Sequence, residues 1–81
     1  MSGETEARVA RVFADLLEIR AVGADDDFFQ LGGDSFVAAQ VALELERVFG
    51  VPVPTDVVEA VSTVRGLAAW IGVRKATNDV G

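Results

Sequence analysis

Two stretches of the chain hold residue types from which chemistry could be built. Residues 31–36, LGGDSF, place two glycines and an aspartate directly before Ser35, and residues 25–27 are consecutive aspartates. A serine after such a permissive turn has four readings. It can cap the helix that follows, since Ser and Asp both accept hydrogen bonds from first-turn N–H groups. As a hydrolytic nucleophile it would need a base, but the chain has no histidine, and GGDSF is not the G-x-S-x-G elbow. A Gly-rich phosphate cradle needs a lysine in the loop, and this stretch has none. The fourth reading is an acceptor, a hydroxyl presented at a helix mouth for another enzyme to modify. The free N–H groups and positive dipole end of a helix suit a phosphodiester. The glycines leave room for an approaching catalyst, and the flanking carboxylates offer a charge signature to a basic one. The residues alone leave cap and acceptor both open.

The aspartate run invites a calcium reading, but the EF-hand pattern fails. Gln30 stands at its glycine position and Phe36 at its terminal glutamate position. A solvated acidic turn without a metal is the expectation for Asp25, Asp26 and Asp27.

Composition narrows the function classes. Thirteen acidic against seven basic residues give a net charge of −6, which argues against nucleic acid and favours partners with basic patches. No cysteine means no disulfide and no thiolate metal site. No histidine means no Ser-His triad and no His-ligated metal. Nothing resembles a signal peptide, and no apolar run approaches membrane-spanning length. The chain therefore reads as a cytoplasmic monomer, with neither nucleic acid nor membrane as a partner. It reads as one domain, residues 1–81, with an ordered core of about 5–75. The initial Met and the polar tail KATNDVG point to a free-standing protein, an excised domain being the other reading.

These residues need elements to position them. Val9, Val12, Phe13, Leu16 and Leu17 follow the i, i+3, i+4, i+7, i+8 spacing of an amphipathic helix over residues 5–19, with Glu4 and Glu6 at its positive end. Residues 20–34 read as a long loop, interrupted by Gly23, the aspartates and Gly32-Gly33. Phe28, Phe29 and Leu31 are its expected anchors to the core. Residues 35–49 read as a second helix, stopped by Gly50 and Pro52. Its core stripe is Val37, Ala38, Val41, Ala42, Leu45, Val48 and Phe49. Phe36, Gln40, Leu43 and Arg47 fall on the opposite side, so two large apolar groups face water beside Ser35. Residues 55–61 predict a short, mobile third helix with Thr55 as cap, rich in β-branched Val57, Val58 and Val61. Val64, Leu67, Ala68 and Ile71 predict a last helix over residues 63–74 that packs on the first. Trp70 should cover one edge of the core, and the chain should fray beyond Lys75.

The stretch DDFFQLGGDSFVAAQVALELERVFGVPVP resembles the core motif of thiolation domains, the peptidyl carrier proteins of nonribosomal peptide synthetases, within the acyl carrier superfamily. The similarity covers nearly the whole chain: D-x-F-F-x-L-G-G-x-S, a helix ending in F-G, and a V-x-[VLI]-P turn. The resemblance implies an all-α, right-handed four-helix bundle with a long first loop and a short third helix. It implies a non-catalytic carrier whose serine, here Ser35 beside Gly33 and Asp34, bears 4′-phosphopantetheine from coenzyme A. The arm's thiol would hold an aminoacyl or peptidyl group as a thioester in secondary-metabolite biosynthesis. Implied partners are a phosphopantetheinyl transferase, an adenylation enzyme, and condensation or tailoring enzymes. Carried over by position, the partner surface is Leu31, Gly32, Phe36, Val37, Gln40 and Leu43, with Asp56, Val57 and Val58 on the third helix. Two residues depart from the family habit. Asp34 stands where peptidyl carriers commonly have histidine and acyl carriers have aspartate, and Phe36 replaces the commoner leucine. An acyl or aryl carrier for polyketide chemistry is the neighbouring alternative. An unmodified helical adaptor with Ser35 as a cap is the alternative of another class.

Overall fold

The computed structural model describes residues 2–80, and side chains for residues 3–76. Among the described residues four helices follow one another: α1 (Ser2–Leu17), α2 (Ser35–Phe49), α3 (Thr55–Ala60) and α4 (Val64–Val80). There is no strand among the described residues, only an isolated antiparallel bridge between Asp27 and Thr63. Helix α1 packs against α4 and α2, and α2 packs also against α3. The expected all-helical, four-helix bundle is therefore the fold.

The apolar stripes meet in one core. Val9, Val12 and Phe13 come from α1; Ala38, Val41, Ala42, Leu45 and Phe49 from α2; Val58 from α3; Val64, Leu67, Ala68 and Ile71 from α4. Val37, Val48 and Trp70 pack against it while half-buried, so Trp70 does cover an edge. Among the described residues no polar or charged side chain is buried, and burial of apolar surface is what holds so small a bundle together.

The element ends of α1, α3 and α4 differ from the spacing-based expectation. Helix α1 starts at Ser2 and stops at Leu17, because Glu18 turns left-handed at φ 58°. The Ile19 N–H then bonds back to the Ala14 carbonyl at 3.0 Å, a Schellman-type end made without glycine. Helix α3 is capped by Pro54, not Thr55; Pro54 has extended φ/ψ and offers no side-chain acceptor. Helix α4 runs on past Lys75 to Val80. Thr63 caps its start, its hydroxyl accepting from the Gly66 N–H at 3.1 Å.

Gly50 ends α2 with φ 72°, the left-handed turn that glycine enters without strain. Beyond it the chain is tied back to α2, because Glu46 Oε2 accepts from the Val53 N–H at 2.9 Å. Val51 and Val53 can then enter the core on either side of exposed Pro52.

Candidate functional site

Ser35 is the first residue of α2 and is exposed. The cap is not Ser35 but Asp34, in extended conformation, whose Oδ1 accepts from the Val37 N–H at 3.0 Å. Of the first N–H groups of α2, only that of Val37 is engaged by the cap, and those of Ser35 and Phe36 remain open. A hydroxyl relieved of capping thus sits among unpaired donors at the positive end of a helix, a setting that accepts a phosphodiester.

The loop before Ser35 is built, residue by residue, to stop there. Phe28 is fully buried and stands edge-on to Phe13, with ring centroids 5.4 Å apart. Phe29 stands edge-on to Phe28 at 5.3 Å but is 38% exposed, and Leu31 is half-buried. Phe28 alone is the deep anchor, where the sequence suggests three. The turn then closes through its main chain: Leu31 N–H to Asp27 O at 3.0 Å, Gly32 N–H to Phe29 O at 3.2 Å, and Gly33 N–H to Phe28 O at 3.1 Å. Gly32 holds φ 104°, open only to glycine at low strain. Gly33 has no side chain because the Phe28 ring lies where one would go.

The aspartates are not a freely solvated turn. Asp25 forms a two-bond pair with Arg65, at 2.7 and 3.2 Å. Its carboxyl is held below the ordinary value by that hydrogen bond and by the guanidinium charge. Asp26 accepts from the Gly23 N–H at 2.8 Å. Asp27 accepts from the Ser62 hydroxyl at 2.7 Å, which lowers its pKa against some desolvation. Each carboxylate is thus engaged, Asp26 within the loop, Asp25 by α4, and Asp27 by both the loop and the α3–α4 junction. Among the described residues no group of three or more His, Cys, Asp or Glu could hold a metal ion. Ser62 and Arg65, the donors, are not found from the sequence because nothing local marks partners so far apart.

The predicted partner surface divides in the structure. Phe36 is 72% exposed and Leu43 68%. Both lie on the outer side of α2 with Gln40, as the periodicity placed them. Gly32 and Asp56 are also exposed, while Val37 and Val57 are half-buried against the core. Val58 is a correction: it is 0% exposed, a core residue that no partner can touch. The short helix turns it inward because α3 has one apolar face and needs it to pack on α2.

A small helical bundle with a long first loop leading to a serine at the mouth of its second helix is the arrangement that the resemblance implies. Comparison with known proteins agrees. A family described as the phosphopantetheine attachment site matches residues 7–71. A linear gramicidin synthase of Brevibacillus parabrevis is 43% identical over 67 residues, which are 83% of this chain and 1% of that protein. The chain is also similar to an active-site mutant peptidyl carrier protein, with TM-score 0.85, 30% identity, and 89% and 80% of the two chains covered. A structure of the phosphopantetheine transferase Sfp with coenzyme A and a peptidyl carrier protein matches with TM-score 0.83 and 31% identity. That match covers 86% of this chain and 91% of the other. The chain belongs to the phosphopantetheine-attachment family, as a peptidyl-carrier-type thiolation domain. As a member of that family it is a carrier domain for 4′-phosphopantetheine, and it spans only about 1% of the length of the synthase it matches.

No helix among the described residues is long and apolar enough to cross a membrane.

Proposed function

We propose that Ser35 is the residue that receives the phosphopantetheine. The observation that carries this reading is the division of labour between Asp34 and Ser35: the aspartate caps the helix, and the serine is left exposed and uncommitted. Only one other serine lies in the matched segment. That residue, Ser62, is half-buried with its hydroxyl bound to Asp27 at 2.7 Å. The phosphate of the attached group would lie near the open N–H groups of Ser35 and Phe36, and the arm supplies the thiol on which acyl groups are carried. The chain itself contributes three things: an accessible hydroxyl, a donor-rich helix end, and a rigid turn that presents both.

The cargo is an aminoacyl or peptidyl group, loaded by an adenylation enzyme and passed to condensation or tailoring enzymes. The sequence similarity to a gramicidin synthase supports this over polyketide chemistry. Tethering raises the local concentration of the intermediate at each partner. Phe36 and Leu43, exposed on α2 beside Gln40, form the apolar centre of the docking surface. Leu31, Gly32, Val37, Asp56 and Val57 border it. The loading reactions belong in the cytoplasm, where coenzyme A is supplied.

Peptide mapping tests the attachment. Trypsin cleavage after Arg20 and Arg47 yields one peptide with Ser35 and without Ser62, which lies in the peptide ending at Arg65. After incubation with coenzyme A and a broad-specificity transferase, the adduct should reside wholly on the first peptide. An adduct on the second would overturn the assignment.

A further inference from the structure

The loop that leads to Ser35 is fastened at a point remote in sequence. Asp27 uses both carboxylate oxygens there: Oδ1 accepts from the N–H groups of Phe29 and Gln30, at 2.8 and 3.3 Å. Oδ2 accepts from the Ser62 hydroxyl at 2.7 Å. The main chain repeats the tie, since the Phe28 N–H donates to the Ser62 carbonyl at 2.7 Å. Asp27 therefore joins the loop to the α3–α4 junction. From Asp27 an unbroken path reaches the serine. The Phe28 carbonyl accepts from Gly33, the Phe28 ring fills the space beside Gly33, and Gly33 precedes the Asp34 cap.

We propose that Asp27 is a positioning residue for phosphopantetheine attachment, tying the loop to Ser62 so that the Ser35 hydroxyl is held ready for the transferase. The inference rests on Ser35 being the acceptor. Its physical basis is preorganisation. Each backbone residue ordered on binding costs about 1–2 kcal/mol, and a loop already fixed in the free carrier spares the encounter that cost. Only a carboxylate or its amide isostere can serve. Asparagine keeps an oxygen for the Phe29 and Gln30 donors and can donate its amide to Ser62, whereas alanine loses all three bonds. The neighbouring Asp25–Arg65 pair holds the stretch before Asp27 and lies off the path to Gly33.

The test is the initial rate of phosphopantetheine transfer from coenzyme A by one broad-specificity transferase, followed by intact mass over a range of carrier concentrations. Wild type, Asp27→Ala, Asp27→Asn, Ser62→Ala, Ser35→Ala and a core control, Ile71→Ala, are compared below their melting temperatures. Ile71 is fully buried on α4, two turns beyond the clasp. Asp27→Ala should raise KM roughly tenfold with kcat within about twofold, the signature of binding lost equally from ground and transition states. Asp27→Asn should return KM to within about threefold of wild type, and Ser62→Ala should fall between them. Ile71→Ala should be less stable than either yet load with wild-type KM. Hydrogen exchange should speed at residues 28–33 in Asp27→Ala and not in Ile71→Ala. Wild-type loading by a folded Asp27→Ala variant overturns the proposal, as does an equal KM rise in Ile71→Ala. Should Asp27→Ala fail to fold, Ser62→Ala decides: an unchanged KM and unchanged exchange overturn the proposal. A mass gain that persists in Ser35→Ala overturns the attachment assignment itself, which the Asp27 variants leave untouched.

Discussion

The ring of Phe28 occupies the volume that a side chain at position 33 would need. A methyl group on Gly33 would meet Phe28 Cδ2 at 2.7 Å and the outer ring carbons closer still. Phe28 cannot easily retreat, being fully buried against Phe13. Gly33→Ala should therefore destabilise the domain by about 2 kcal/mol, as overpacked sites do, and displace the turn before Ser35. Denaturant unfolding would measure the loss. A variant as stable as the parent would show that the ring yields freely.

Asp34 and Ser35 should respond oppositely to truncation. Removing the cap acceptor in Asp34→Ala exposes an unpaired Val37 N–H and should reduce stability by about 1 kcal/mol. Ser35→Ala deletes a hydroxyl that takes no part in the cap and should stay within about 0.5 kcal/mol of wild type. Parallel thermal melts would separate the two. Equal losses would mean that Ser35 shares the capping.

Glu18 is a non-glycine residue in the left-handed region at the end of α1. Replacing it by glycine removes the clash between Cβ and carbonyl oxygen, partly offset by the greater entropy that glycine gives the unfolded chain. Glu18→Gly should gain about 1 kcal/mol, visible as a raised unfolding midpoint. An unchanged or lower midpoint would show that the Glu18 side chain stabilises this turn through another contact.

How much of this was legible beforehand depended on the range of the interaction. The stripes of α1, α2 and α4 were readable because each repeats every three or four residues, and Val41, Leu45, Leu67 and Ile71 are buried as spacing predicts. Phe36 and Leu43 were found as exposed apolar groups by the same periodicity. Val58 is placed on the partner surface only by position within the resemblance, and that placement does not register that the one apolar face of the six-residue α3 turns it into the core. The uses of Asp25 and Asp27 were unreadable, since their partners Arg65 and Ser62 lie 40 and 35 residues away and come near only once the bundle has formed. Ser35 and Asp34 were both named as cap formers. Only the backbone geometry assigns the cap to Asp34 and frees the serine.

Acid should loosen the carboxylate ties, both the long-range ones of Asp25 and Asp27 and the local Glu44–Arg47 pair on α2. Asp25 and Asp27 are held below the ordinary aspartate value of 3.8, by Arg65 and by the Ser62 hydroxyl respectively, and Glu44 below 4.5 by Arg47. A depressed carboxylate binds fewer protons folded than unfolded. Its contribution is therefore complete above the unfolded value and fades as pH falls through the folded one. Melting temperature should hold steady at neutral pH and decline once pH drops below those ordinary values. Asp25→Asn should flatten part of that decline, modestly, because the pair is exposed. A melting temperature flat down through that range would contradict the clasp.

The central claim is that this chain is a carrier modified on Ser35, and intact mass tests it most directly. Wild type and Ser35→Ala are incubated with coenzyme A and a broad-specificity phosphopantetheinyl transferase, after melts confirm that both are folded. The account predicts a gain of one phosphopantetheine in wild type and none in the variant. No gain in folded wild type, or an equal gain in the variant, would contradict it.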